Sequence, residues 1–288
     1  MCRRWNFARA ARCSNTAMMS FVLGSLVGLL LALTGAGGGI LAVPLLVFAL
    51  HLGLADAAPI GLLAVGLAAA LSASLGLRDG IVRYRAATLM GGLAMVLAPV
   101  GVAAGQRVPN APLTIAFAAV LALSAWRMWQ RARQALRPHG DTAARAALPC
   151  VLDARDGRLV WTRPCAQALA LTGVAAGLLS GLLGVGGGFV IVAALTRFTE
   201  LSARSIVATS LAVIALASIG GVGAAAWKGT IDWEIALPFA IGSVVASLLA
   251  RVIAARVAGP RLQQGFAVVS VCVAVLLLAR GFGGLAVR

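Results

Sequence analysis

Apolar stretches about as long as a bilayer is thick follow one another along almost the whole chain, and no other feature limits the fold as strongly. A hydrocarbon core of about 30 Å takes roughly 20 helical residues to cross. Runs such as Val65 to Leu77 and Val268 to Ala279 are apolar or small on every face. A transmembrane barrel would need strands of about ten residues with alternating polarity, so this pattern excludes it. The 288 residues are 61% hydrophobic and only 11% charged, with a mean hydropathy of +0.99, which also excludes an ordinary soluble enzyme. The chain reads as an all-α integral membrane protein of about eight transmembrane helices.

A formal charge of +16 would point to nucleic acid in a soluble protein. Here the basic residues sit in the breaks between apolar runs, with no interleaved aromatics, so positive-inside placement accounts for them and no nucleic-acid partner is expected. Cys2, Cys13, Cys150, Cys165 and Cys272 form no CxxC and no His-Cys cluster. They are expected to be free thiols, with no metal site and no cofactor. Arg3 and Arg4 precede an apolar stretch that runs on too far for a cleaved signal, so the first span is kept; Met18 or Met19 would start the chain directly at the membrane.

An internal repeat organises the chain. Gly28-Leu-Leu-Leu-Ala-Leu-Thr-Gly-Ala-Gly-Gly-Gly39 aligns with Gly177-Leu-Leu-Ser-Gly-Leu-Leu-Gly-Val-Gly-Gly-Gly188, with 8 of 12 positions identical. The offset of 149 holds without a gap and pairs Leu62 with Leu211, Gly80 with Gly229, Arg107 with Arg256 and Phe117 with Phe266. The organisation that follows is an N-terminal cytoplasmic segment (1–19), a first transmembrane repeat (20–130), a polar linker (131–166), a second repeat (167–281) and a C-terminal tail (282–288). Each repeat is expected to hold four helices, the first of them broken by glycine. The linker stretch from Arg131 to Pro164 holds seven Arg, three Asp and three Pro, so it lies outside the bilayer.

The first two apolar elements of each half, 20–34 with 40–54 and 167–183 with 189–203, are each about 15 residues long and flank the glycine motif. If each pair makes one crossing with the N-terminus inside, 18 basic residues fall inside and 6 outside. If each pair makes two crossings, the basic linker falls opposite the basic N-terminus, an arrangement the charge rule rejects. If each pair is a re-entrant hairpin with the N-terminus outside, the split is 16 to 8 and the halves are inverted. The first arrangement puts both termini in the cytoplasm and is preferred on charge. The hand of the repeat stays open.

The chemically informative feature is the pair of strings Gly35-Ala36-Gly37-Gly38-Gly39 and Gly184-Val185-Gly186-Gly187-Gly188. Each glycine disfavours a helix interior by about 1 kcal/mol relative to Ala, so four in five residues favour unwinding. An unpaired backbone group in hydrocarbon costs several kcal/mol, so the break must be buried in protein or line a wet cavity. A helix starting after it, at Ile40 or Phe189, turns free N–H groups and a positive dipole end toward the break, which suits an anion. The competing reading is close helix packing through small residues. No Gly-Lys-Ser/Thr follows, which excludes a P-loop, and no acidic residue stands about 20 positions on, which excludes a dinucleotide fingerprint. Ser180 has no histidine inside a span to act as its base, so no catalytic residue and no enzyme is expected.

The candidate substrate-binding residues are therefore Gly35, Gly37, Gly38 and Gly39, with Thr34 just before them, and Gly184, Gly186, Gly187 and Gly188, with Ser180 one turn before. Thr209 and Ser210, at the start of a span, join the set. Their hydroxyls either bond an anion or serve the helix itself. Arg251, inside the 233–256 element, either attracts an anion or snorkels to the interface.

The two GxGGG segments, with Ala208-Thr209-Ser210-Leu211 and Gly229-Thr230-Ile231-Asp232-Trp233, resemble the TauE/SafE family of membrane permeases, the sulfite and organosulfonate exporters. The resemblance covers both halves. It implies a secondary carrier of about eight spans in the bacterial inner membrane that moves small sulfur oxyanions or organic anions, with protons as coupling ion. The first half departs from the pattern, with Pro59-Ile60-Gly61 opposite Ala208-Thr209-Ser210 and Arg83-Tyr84 opposite Asp232-Trp233. The expected partners are a small anionic substrate, the lipid bilayer and a second copy of the chain. The alternatives are a membrane scaffold or assembly factor that recruits a partner through its basic linker, and a passive anion channel.

Overall fold

The computed structural model describes residues 7–34, 38–135, 150, 162–199, 201–257 and 268–277. In chain order these form α1 (Phe7–Thr34), a 3-10 turn (Gly38–Leu41), α2 (Ala42–Ala49), α3 (Leu54–Arg78), α4 (Tyr84–Arg107) and α5 (Asn110–Ala135). There follow α6 (Arg163–Leu183), α7 (Gly188–Phe198), α8 (Ala203–Trp227), α9 (Trp233–Val257) and α10 (Val268–Leu277). Among the described residues, β structure is limited to a single bridge between Cys150 and Thr199. Five helices, α3, α4, α6, α8 and α9, are long and apolar enough to cross a membrane. Large apolar side chains in mid-helix, among them Val96, Ile219, Ile241 and Leu249, are exposed on the outer surface. A water-soluble protein would cover such residues, whereas lipid accommodates them.

The helices recur at the spacing of the sequence repeat. Adding 149 to the bounds of α3 gives those of α8, and α4 and α9 agree at their starts. Both α3 and α8 end in a turn with a left-handed glycine, Gly80 at φ 67° and Gly229 at φ 67°. Ser202 caps α8 by accepting the Ser205 N–H, and Thr162 caps α6 by accepting the Cys165 N–H.

Close approaches reveal helix directions. A Cβ added at Gly173 or Gly177 would lie 2.7 Å from the Met90 oxygen and 2.6 Å from Ala94 backbone atoms, and one at Gly181 would strike Ala98, so α6 and α4 advance together. Gly24 against Phe239 and Gly28 against Ser243 align α1 with α9 in the same way. The Arg83 N–H donates to Thr209 Oγ1 (3.1 Å) at one end of α4, and Lys228 Nζ donates to Gln106 Oε1 (3.0 Å) at the other, so α4 and α8 are parallel. Gly66 meets Ser218 and Gly76 meets Ala208, so α3 and α8 are antiparallel. Thus α4, α6 and α8 run one way and α1, α3 and α9 the other. Repeat mates point in opposite directions, so the repeat is inverted, and the first helix of each half packs on the other half.

This geometry corrects the preferred reading of each broken pair as one crossing. A Cβ at Gly187 would lie 2.5 Å from the Ala176 oxygen, so the chain has folded back along α6 by the start of α7. At the other end, Cys150 is disulfide-bonded to Cys165 and its N–H donates to the Phe198 oxygen (3.2 Å). From Gly187 to Phe198 is as many residues as from Ala176 back to Cys165, about 16 Å of helix along both arms. The α6–α7 pair is therefore a hairpin whose two ends lie on one side. Gly38 likewise packs on Leu31 of α1, and the shared direction of α1 and α3 requires the chain to return between them. The disulfide also corrects the expectation of free thiols for Cys150 and Cys165. Cys272 is free and exposed.

Candidate functional site

The second glycine break runs from the far end of α6 to the middle of the molecule. Gly184, Gly186 and Gly187 adopt φ of 70°, 75° and 64°, a left-handed backbone that a side chain disfavours. These residues reverse the chain within four positions. Gly184 packs against Ala58, near the start of α3, while a Cβ at Gly186 would lie 2.9 Å from Ile214 Cγ2 and 3.6 Å from Val65 Cγ1. Val65 and Ile214 are repeat mates, each about halfway along its helix and fully buried.

The first break reaches the same point. A Cβ at Gly39 would lie 3.0 Å from Val65 Cγ1 and 3.2 Å from the Val185 oxygen. The two glycine segments, far apart in sequence, thus touch across Val65, with Gly38, Gly39 and Gly184 to Gly188 all buried. Gly35 and Gly37 lie outside the described residues, and so does the side chain of Thr34, which ends α1.

Two features at this junction suit an anion. No side chain caps α7, whose N-cap is Gly187, so the positive end of its dipole meets no side-chain acceptor. The Ser180 hydroxyl is fully buried and has no hydrogen-bond partner. Ser180 lies one turn beyond Ala176 on the face of α6 that Gly187 covers, and its backbone oxygen accepts the Gly184 N–H (2.9 Å). Most serines in membrane helices bond back to their own helix, as Ser74 and Ser218 do here. Beside the break, a cleft of about 10 Å³, room for about one water, is lined by Ala58, Pro59, Leu62, Gly105, Gln106 and Gly181.

Thr209 and Ser210 do not join this group. Thr209 Oγ1 holds the Arg83 N–H where α4 begins, and Ser210 Oγ donates to the Val207 oxygen of its own helix (2.8 Å). With Ser205 Oγ donating to the Ile81 oxygen (2.9 Å), Thr209 ties α8 to the turn between α3 and α4. Replacing Thr209 by Val leaves a half-buried N–H without its acceptor, so a thermal unfolding scan is expected to register a loss of about 1 kcal/mol. Ser210→Ala should register much less. Arg251 lies on α9 with its side chain outside the described residues.

Sequence reasoning missed Ser243. It is fully buried on α9, and its hydroxyl has two acceptors at 3.0 Å for its one proton, the Ala240 oxygen of its own helix and the Ala64 oxygen of α3, one residue before Val65. It also missed the stripes Gly24/Gly28 and Gly173/Gly177/Gly181, which allow the cross-half contacts. Their four-residue spacing, repeated at the same offset, was the available signal.

The family described as Sulfite exporter TauE/SafE matches residues 20–277. Two relatives from Xylella fastidiosa, each named "Probable membrane transporter protein", are similar to this chain. The one from strain 9a5c is 28% identical over 266 residues, covering 91% of this chain and 95% of the relative. The one from strain Temecula1 / ATCC 700964 is 28% identical over 272 residues, with the same coverage. No solved structure matches the chain.

Proposed function

Since the chain belongs to the sulfite exporter TauE/SafE family, a family of membrane transporters rather than enzymes, we propose that it exports small anions, sulfur oxyanions or organosulfonates, through the junction of its two glycine breaks. The observation that carries this reading is the unpartnered, buried Ser180 hydroxyl on α6, one turn beyond Ala176, against whose backbone the uncapped start of α7 packs. A free anion accepts such a hydroxyl and fits the dipole end once the packed segments part to admit it. Among the described residues, recognition then rests on hydroxyl and backbone dipoles rather than on a fixed cation, which favours release as well as capture.

The layout that fits is two inverted halves, each a glycine-broken hairpin followed by three spans, in the bacterial inner membrane. The end of the molecule that carries Arg78, Arg83, Arg85, Arg163, Arg197 and Arg204 is placed in the cytoplasm. The opposite end has Arg107 and Lys228 in its turns. Because each broken pair returns, α1 then starts outside, which reverses the orientation that single crossings implied.

Ser180→Ala tests the site. The variant should weaken the anion-induced rise in melting temperature about two- to tenfold in apparent affinity, the worth of one hydrogen bond. Its own stability should be unchanged or higher, since the hydroxyl has no partner to lose. The assay uses purified protein titrated with sulfite, sulfate, thiosulfate and taurine. Unaltered affinity for the anion that binds wild type would remove Ser180 from the site.

A further inference from the structure

We propose that Cys150 and Cys165 form a reducible staple on the cytoplasmic end of the protein, by which cellular thiol–disulfide state controls the α6–α7 hairpin. The inference rests on the orientation proposed above.

The bond spans the open end of the hairpin. Cys165 sits in the first turn of α6, and Cys150 is joined to it with Cα atoms 5.1 Å apart. On its other side Cys150 bonds through its N–H to the Phe198 oxygen and forms a parallel bridge with Thr199, at the last residues of α7. One residue thus ties the first turn of α6 to the end of α7. The tied arm is the one whose other end forms the uncapped start at Gly187.

The location makes this bond unusual. Arg163 is two residues from Cys165, Arg197 precedes Phe198, and Arg204 lies in the first turn of α8, so the bond lies at the arginine-rich end of the molecule. The charge rule puts that region in the cytoplasm, where thiols are kept reduced and the disulfides that do form are transient or sensing. The first turn of α6, with its dipole end toward Cys165, favours negative charge there when the bond opens and so helps the sulfur leave.

The chemistry balances with a dithiol reductant of the thioredoxin class. One of its thiolates attacks a staple sulfur, forms a mixed disulfide and releases the other cysteine as thiolate. The second thiol of the reductant then displaces the remaining cysteine. Two electrons and two protons pass to Cys150 and Cys165, and the reductant leaves as a disulfide. Both cysteines are buried, so attack requires residue 150 to lift from the hairpin end, where the Phe198 hydrogen bond and the Thr199 bridge hold it besides the disulfide. Reduced, the end of α7 keeps only its noncovalent contacts.

The test uses the full chain with Cys2, Cys13 and Cys272 changed to Ser. Acid-quenched cells are treated with a maleimide polymer and resolved on gels. The staple should be open in growing cells, close on treatment with the thiol oxidant diamide, and then resist a membrane-impermeant phosphine added outside. In purified protein, reduction should speed hydrogen exchange across residues 188–199 about tenfold, equivalent to about 1.4 kcal/mol of local opening. Cys165→Ser should exchange at the fast rate with or without reductant. A bond already closed in growing cells and opened by the external phosphine would overturn the inference, as would exchange indifferent to reduction. In liposomes, flux of the binding anion should change with reduction in the starting protein and not in Cys165→Ser. A hairpin response without flux in either state would uphold the staple and count against the transport reading alone.

Discussion

Gly177→Leu is expected to leave almost no folded protein in the membrane, and its repeat mate Gly28→Leu should fail in the same way. At Gly177 the first added carbon already falls 2.6 Å from Ala94 Cα and from its oxygen, and at Gly28 it strikes the Ser243 backbone. A side chain could turn away, but a helix backbone cannot, so the pair must separate along its length. Overpacking in an adaptable core costs about 1–3 kcal/mol. Here the loss should exceed that range, because separating α6 from α4 also breaks the contacts at Gly173 and Gly181. The measurement is the monodisperse fraction in detergent by size exclusion, with Gly92→Leu as control. Gly92 has nothing within 4 Å of an added Cβ and should tolerate the change. Near-normal recovery of Gly177→Leu would contradict the cross-half packing.

The second large effect separates the shape of the break from its chemistry. Gly187→Ala forces a side chain into φ 64° and sets its Cβ 2.5 Å from the Ala176 oxygen. The left-handed backbone alone costs about 1–2 kcal/mol, and the contact adds to it. This variant should lower the melting temperature and abolish anion binding together. Gly39→Ala meets the Val65 side chain at 3.0 Å and the Val185 backbone oxygen at 3.2 Å, milder approaches than at Gly187 and with no left-handed φ to strain. It should fold nearly as well as wild type while narrowing the point where the breaks meet, so the anion-induced stabilisation falls and basal stability holds. Full affinity in a folded Gly39→Ala protein would move the anion away from the junction.

Much of the candidate site was legible because glycine strings are a local property. Gly186 and Gly187 are left-handed and buried as unwinding there requires, and Ser180 next to them is unpartnered. Thr209 was left between two roles for a definable reason. Its place near the start of a span suggested a cap or a ligand, but its partner is the Arg83 N–H, 126 positions away in the chain. Ser243 was missed because a serine in a long apolar helix looks the same whether it reaches only its own backbone or, as here, the Ala64 oxygen of α3 as well. The bond between Cys150 and Cys165 left no mark either, since both lie in the stretch read as a polar linker, α6 in fact begins at Arg163, and no metal-like spacing joins them.

Hydrophobic run length by itself determined that the chain resides in a membrane, and self-similarity at 149 residues determined that its helices recur and where they break. Both are sums over neighbouring residues, so they can be read without a partner in view. Only the tertiary structure decided that the chain turns back after each break, that the repeat is inverted, and that α6 packs on α4 and α1 on α9. Two arms of about 15 residues satisfy the bilayer equally well whether the chain continues or returns. What selects between them is the close approach of glycine faces to backbones more than 80 residues away in sequence, such as Gly177 to Ala94 and Gly28 to Ser243. That is a property of pairs of surfaces, which no single segment carries.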